Sequence, residues 1–213
     1  MQSDTRSYYV FLRHGESTGN AEQRHQGQAD FPLTDLGKEQ AELLAKLWQQ
    51  QDVAFDKAIS SPLMRAEQTA IILNSYLKTD LSFDPIWMER DNGRLAGLKW
   101  EEAQDIFPLP PFTPLYQPIA ETGESLWELF LRASTALNNL MKYPPGRYLI
   151  ISHGGLLNMV MHAIVGLPPQ ANFQGPRFRF SNTGFTSVYY LVERNIWNIQ
   201  EHNNTSHLIN QDS

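Results

Sequence analysis

The chain contains no cysteine. Disulfides, thiolate metal sites and cysteine nucleophiles are thereby excluded, and a cytoplasmic setting is expected. Long hydrophobic runs are also missing. The longest, Leu156 to Pro169, is interrupted by Asn158 and His162 and is too short to span a bilayer. The opening residues Met1-Gln2-Ser3-Asp4-Thr5-Arg6 are polar and carry no signal-peptide hydrophobic region. Basic residues are few: 17 Lys and Arg stand against 23 Asp and Glu, a net charge of −6. Neither nucleic acid nor a membrane is therefore expected as a partner. No lysine, arginine or histidine occurs from Glu101 to Leu131, and there is no internal repeat. What is present is a globular composition, 41% hydrophobic and 19% charged over 213 residues. That length suffices for one sizeable core, so a single catalytic domain spanning 1–213 is expected, with a homodimer left open.

Apolar runs alternate with amphipathic ones. Tyr8 to Leu12 reads as a buried strand, followed by a polar, glycine-containing loop over 15–33. Thr34 and Asp35 offer caps to a helix over 34–50, with Leu36, Leu43, Leu44, Leu47 and Trp48 at helical spacing. A short strand, Lys57 to Ser60, precedes a helix expected to start at Ser61-Pro62 and run to Leu77. Leu81 to Phe83 is a third strand, and residues 86–100 read as loop. Gly123-Glu124-Ser125 opens a helix expected to reach Tyr143. Arg147 to Ser152 is an uninterrupted apolar strand, hence central and parallel. A helix follows to Val165, then a hairpin of Thr186–Leu191 and Ile196–Gln200 around Arg194-Asn195. The alternation predicts a three-layer α/β fold with a doubly wound, mostly parallel sheet.

Two of these strands end in histidines: Arg13-His14-Gly15 after the first, His153-Gly154-Gly155 after the central one. If the strands are neighbours, both histidines meet at one sheet edge, where such folds bind ligands. A histidine there, beside an arginine, is placed to attack phosphorus.

Arg13-His14-Gly15-Glu16 with Asn20, Arg24, Gln26-Gly27, Pro32-Leu33-Thr34 and Gly37 resembles the opening of the histidine phosphatase superfamily, phosphoglycerate-mutase-like branch. Ser60 to Ala70 resembles its arginine-bearing second motif, Met88-Glu89-Arg90 through Gly97 its acid loop, and Ser152-His153-Gly154-Gly155 its second-histidine motif. The matches fall in order over roughly residues 8 to 207. The resemblance implies a phosphoglycerate-mutase-like fold, no metal and no cofactor. It implies five catalytic residues, His14 as nucleophile, Arg13 and Arg65 as phosphate clamps, His153 as a donor in cationic or neutral form, and Glu89 as general acid and base. Glu124 and Asp91 are lesser alternatives for the acid. Asn20, Gln26, Gly27, Arg90 and Gly154 are the substrate-binding candidates, and Glu16 orients its neighbours. His25, His162, His202 and His207 are read as structural or surface residues. These roles suit the chemistry: a phosphoryl group repels nucleophiles, so cationic clamping, in-line attack and a covalent intermediate each lower the barrier.

Hydrolases and mutases share this set. Glu89-Arg90-x-x-Gly93-x-Leu95-x-Gly97-Leu98 resembles the mutase acid loop, although mutases place histidine and tyrosine where Asp91 and Asn92 stand. Gly97 to Ala103, Phe107-Pro108, and Gly155 in place of the mutases' asparagine resemble the phosphatases instead. A mutase also needs cations for a second anionic group. Residues 107–118 are apolar and rich in proline: Pro108, Pro110, Pro111, Pro114 and Pro118. An apolar lid inserted over about 100–122 is expected, covering a leaving group without strong negative charge. The function expected is a metal-independent, histidine acid-type phosphatase acting on a small-molecule phosphomonoester. A phosphoglycerate mutase, a phosphoprotein phosphatase and a phospho-binding scaffold are the alternatives.

Overall fold

The computed structural model describes residues 5–108 and 110–211. Met1 to Asp4, Leu109 of the proline-rich segment, Asp212 and Ser213 lie outside the described residues. In chain order the elements are β1 (Arg6–Arg13), α1 (Thr18–Ala21), α2 (Asp35–Gln50), β2 (Lys57–Ser60), α3 (Met64–Leu77), β3 (Leu81–Phe83), α4 (Trp100–Ile106), α5 (Leu126–Leu140), β4 (Arg147–Ser152), α6 (Gly154–Ile164), β5 (Phe185–Leu191) and β6 (Ile196–Asn204).

One six-stranded sheet runs in the order β3-β2-β4-β1-β5-β6. The first four strands are mutually parallel, and β5 is antiparallel to both β1 and β6. Because side chains alternate across a strand, each central strand feeds two cores. Tyr9, Phe11, Tyr148 and Ile150 join residues of α5 and α6 on one face. Leu12, Leu149 and Ile151 join residues of α2 and α3 on the other. That is the expected three-layer, mostly parallel α/β arrangement.

Strands β1 and β4 are neighbours, with Arg13 in register with Ser152. His14 and His153 therefore leave the sheet side by side, and the His14 amide donates to Ser152 O at 3.0 Å. Strand β2 lies on the other side of β4, with the Ser61 amide donating to Ile151 O at 2.9 Å.

Several boundaries differ from the sequence reading. Helix α3 begins at Met64, with Leu63 in extended conformation as its cap residue. The Ser61 hydroxyl is diverted: it accepts from the Leu63 amide and pairs with His153 Nε2. Asp30 Oδ1 accepts from the Met64 amide instead, capping the helix from the loop. That loop holds the one-turn helix α1, capped reciprocally by Ser17 and Asn20. Helix α4 arises where no helix was read, its Lys99 amide bonded to Glu102. Helix α5 stops at Leu140, three residues early, and β6 runs four residues past Gln200. Residues 107, 108 and 110–118 are irregular, and a 3-10 turn, Ile119–Glu121, follows them.

Candidate active site

His14 is 3% exposed and sits just past β1. Its Nδ1 lies 2.6 Å from Gly15 O. A carbonyl only accepts, so Nδ1 carries the hydrogen and the neutral ring keeps its lone pair on Nε2. Burial, then Arg65 and Arg13, hold the His14 pKa well below the usual imidazole value. The ring is thus neutral near pH 7, the form a nucleophile requires.

Arg13 and Arg65 line the same cavity as His14, and the His153 ring packs beside it. Arg13 Nη1 donates to Phe180 O at 2.7 Å, but its Nε is buried without a hydrogen-bond partner among the described residues. Arg65, in the first turn of α3, is 1% exposed. Its two Nη groups donate to Ala29 O and Gly27 O, leaving Nε likewise unpartnered. Burial is the main cause that lowers the Arg65 pKa to about 10, so it stays charged at neutral pH. His153, the residue before α6, has its ring centre 5.1 Å from that of His14. Its Nε2 lies 2.8 Å from the Ser61 hydroxyl, and its buried Nδ1 has no partner among the described residues. Burial, then Arg65, His14 and Arg13, press its pKa well below the usual value. Of the two forms left open by the sequence, the neutral one is favoured. With the serine hydroxyl donating to Nε2, Nδ1 bears the N–H. Buried polar groups nearly always have partners, and unpaired donors on three residues near His14 are what an anionic ligand would satisfy.

Glu89 approaches from the loop after β3. Its carboxylate accepts from the amides of Gly155 and Leu156 in the first turn of α6, both at 2.9 Å, and from the Arg90 amide at 2.8 Å. That loop is held in turn by Arg132 of α5, which donates to the carbonyls of Ile86, Met88 and Glu89. Arg132 also forms a two-pronged pair with Glu124, at 2.9 and 2.7 Å. Glu124, an alternative acid by sequence, has both carboxylate oxygens engaged there.

Arg13, His14, Arg65, Glu89, Arg90, Gln26 and Gly27 line one cavity of about 250 Å³. Gly27 has φ +51°, a backbone state that suits glycine, and its carbonyl serves Arg65. The other two binding candidates lie elsewhere. Asn20 does not line this cavity; its Oδ1 accepts from the Ser17 hydroxyl and Asn182, fixing the turn after β1. Gly154 faces an adjoining cavity with Arg13, Arg177 and Arg179. Glu16 accepts from the Thr34 hydroxyl at 2.7 Å and so ties the loop to the start of α2.

Five cavity residues received no role from the sequence: Arg24, His25, Asn92, Trp100 and Gly155. Arg24 was visible as part of the opening motif, and Asn92 as a departure from the mutase pattern. His25, read as structural, faces the cavity beside Trp100, their ring centres 6.5 Å apart. His162, His202 and His207 pair with backbone carbonyls or threonine hydroxyls and do not line it. Among the described residues no cluster of three His, Cys, Asp or Glu side chains could hold a metal, and no helix is long and apolar enough to cross a membrane.

Residues 9–205 match the model of the histidine phosphatase superfamily, branch 1. The "Uncharacterized phosphatase PhoE" of Bacillus subtilis is 30% identical over 92% of this chain and 94% of its own. The "Probable phosphoglycerate mutase GpmB" of Yersinia enterocolitica is 34% identical over 93% of this chain and 94% of its own. Among solved structures, a mycobacterial glucosyl-3-phosphoglycerate phosphatase complexed with VO3 superimposes with a TM-score of 0.77 at 25% identity, over 93% of this chain and 98% of that one.

Proposed function

Because the chain belongs to the histidine phosphatase superfamily, branch 1, we propose that it hydrolyses phosphomonoesters without a metal, through a phosphohistidine on His14. The observation that carries this reading is His14, its Nδ1 held by Gly15 O, beside Arg13, Arg65 and His153, whose Nε, Nε and Nδ1 are unpaired among the described residues. The three donors hold the non-bridging oxygens. The Nε2 lone pair attacks phosphorus in line while the bond to the ester oxygen breaks, and Glu89 gives that oxygen a proton as the alcohol leaves. Water then enters, Glu89 takes its proton, and the nitrogen–phosphorus bond breaks to release phosphate. His14 returns to its starting form, and the sum is ester plus water to alcohol plus phosphate.

A second reading, phosphoglycerate mutase, is favoured by the 34% identical Yersinia relative. Hydrolysis is preferred because the wall over residues 103–120 brings no cation to the site for a second anionic group. The test is to trap an acid-labile phosphoenzyme with a radiolabelled phosphomonoester, then to follow turnover of p-nitrophenyl phosphate, phosphoglycerates and phosphopeptides with and without chelator. His14→Ala should form no phosphoenzyme, and chelator should leave turnover intact. Transfer between phosphoglycerate isomers with no phosphate release would establish the mutase instead.

A further inference from the structure

Two cavities lead away from the catalytic pocket, and they differ in character. The first shares His25, Arg90, Asn92 and Trp100 with the pocket and extends over about 480 Å³ against Phe107 and Ile119. It opens in turn into a third space of about 310 Å³, walled by Ile106, Pro108, Pro114 and Pro118. Arg90 and Phe173 line both of these outer spaces, and no carboxylate lines either. The second way out, on the other side of Arg13, is lined by Arg177 and Arg179.

We infer that the alcohol half of the substrate lies in the first of these, so that the enzyme takes phosphomonoesters of hydrophobic alcohols. The inference rests on the hydrolase reading above and names the substrate class for it. The leaving oxygen must meet the Glu89 carboxylate, and the residue next to Glu89 is the one that lines the pocket and both apolar spaces. Arg90 is partly engaged by the protein itself. Its Nε donates to Glu124 O at 2.8 Å, and its guanidinium lies 5.9 Å from the centre of the Phe173 ring. It forms the neck of an apolar channel, stacked on one of the channel's own walls. Burying an uncharged alkyl or aryl group there gains free energy, whereas a carboxylate or second phosphate would lose its water against walls whose one lysine or arginine is Arg90 at the neck. The opposite cavity is the weaker exit. Its two arginines are exposed, so solvent screens them. The Arg13 guanidinium, fixed to Phe180 O, lines both that cavity and the pocket.

A homologous series of n-alkyl phosphates, methyl to octyl, tests this directly, because the alcohols barely differ in acidity. The expected kcat/KM rises about fourfold per methylene for the carbons the channel covers, then levels off. Competitive inhibition by n-alkylphosphonates should tighten in parallel, a readout that needs only the wild-type protein. Phe107→Ser and Ile119→Asn should flatten the slope of both series. Flat series in a protein that still forms the phosphoenzyme overturn the subsite and leave the hydrolase standing. An unchanged slope in folded Phe107→Ser overturns it too, as does a preference for phosphorylated carboxylic acids that Arg177→Ser abolishes. If no ester yields a phosphoenzyme, the hydrolase reading falls and takes the subsite with it.

Discussion

A single methyl group added at Gly155 should separate activity from stability. A Cβ built there lies 2.6 Å from Glu89 Oε1 and 3.1 Å from its Cδ, and the third nearest atom is Glu89 Oε2. No backbone atom is among the three. Glu89 must therefore yield, and it yields by swinging its carboxylate off the amides of Gly155 and Leu156. Losing a capping carboxylate costs about 0.5–2 kcal/mol. Replacing glycine by alanine in the first turn of α6 returns about 0.5–1 kcal/mol. The two nearly cancel, and the melting temperature of Gly155→Ala should stay within about 4 °C of wild type. Activity should not be spared. A well-placed general acid contributes about 10²-fold to 10⁴-fold, so kcat/KM for butyl phosphate should drop at least about a hundredfold. For p-nitrophenyl phosphate, whose leaving group needs little protonation, the loss should stay below about tenfold. Thermal melts and steady-state kinetics on the two esters decide the matter. Equal losses on both, or no loss on either, would refute Glu89 as the acid held by this contact.

Two further predictions concern what holds the site together. Arg132→Met strands the half-buried Glu124 carboxylate and frees three carbonyls of the acid loop. Discounted for partial solvent screening, the cost is about 3 kcal/mol, or about 6–12 °C in melting temperature. Adding Glu124→Gln should recover part of it, and a drop of less than about 2 °C in the single variant would show the pair to be incidental. On pH, burial lowers the folded-state pKa of both His14 and His153 well below 6.5. Below pH 6.5 the unfolded chain takes up protons that the folded one refuses, so stability falls as pH drops from there toward the depressed folded values. Each histidine adds about 1.4 kcal/mol per pH unit to that slope. Denaturant titrations at stepped pH measure the slope, and ring NMR signals of His14 and His153 that titrate near pH 6.5 would contradict it.

Much of the sheet and the centre of the site were legible because both depend on local pattern. Two apolar runs, Tyr8–Leu12 and Arg147–Ser152, each end in a histidine followed by glycine, and neighbouring parallel strands bring such ends together. What escaped was set by distant partners. Ser61-Pro62 carries every local sign of a helix start, yet His153 and the Leu63 amide claim the serine hydroxyl, and Asp30 caps α3 at Met64. Helices α1 and α4 span four and seven residues, too short for a 3.6-residue period to register.

His25 and Trp100 show the same limit at the site itself. An isolated bridge joins Arg24 to Lys99, and the His25 amide donates to Leu98 O while the Gly97 and Trp100 amides donate back to His25 O and Gln23 O. This pairing of two loops, distant in sequence, carries both aromatic rings to the pocket rim, and neither loop alone contains a sign of it. The residues around His14 follow from strand ends and are the ones proposed to act on phosphorus. The residues at the rim follow from loop pairing and are the ones proposed to meet the leaving group. A motif at a strand end therefore speaks to the bond proposed to break more readily than to the molecule that carries it, because the space past Arg90 is walled by loops distant in sequence.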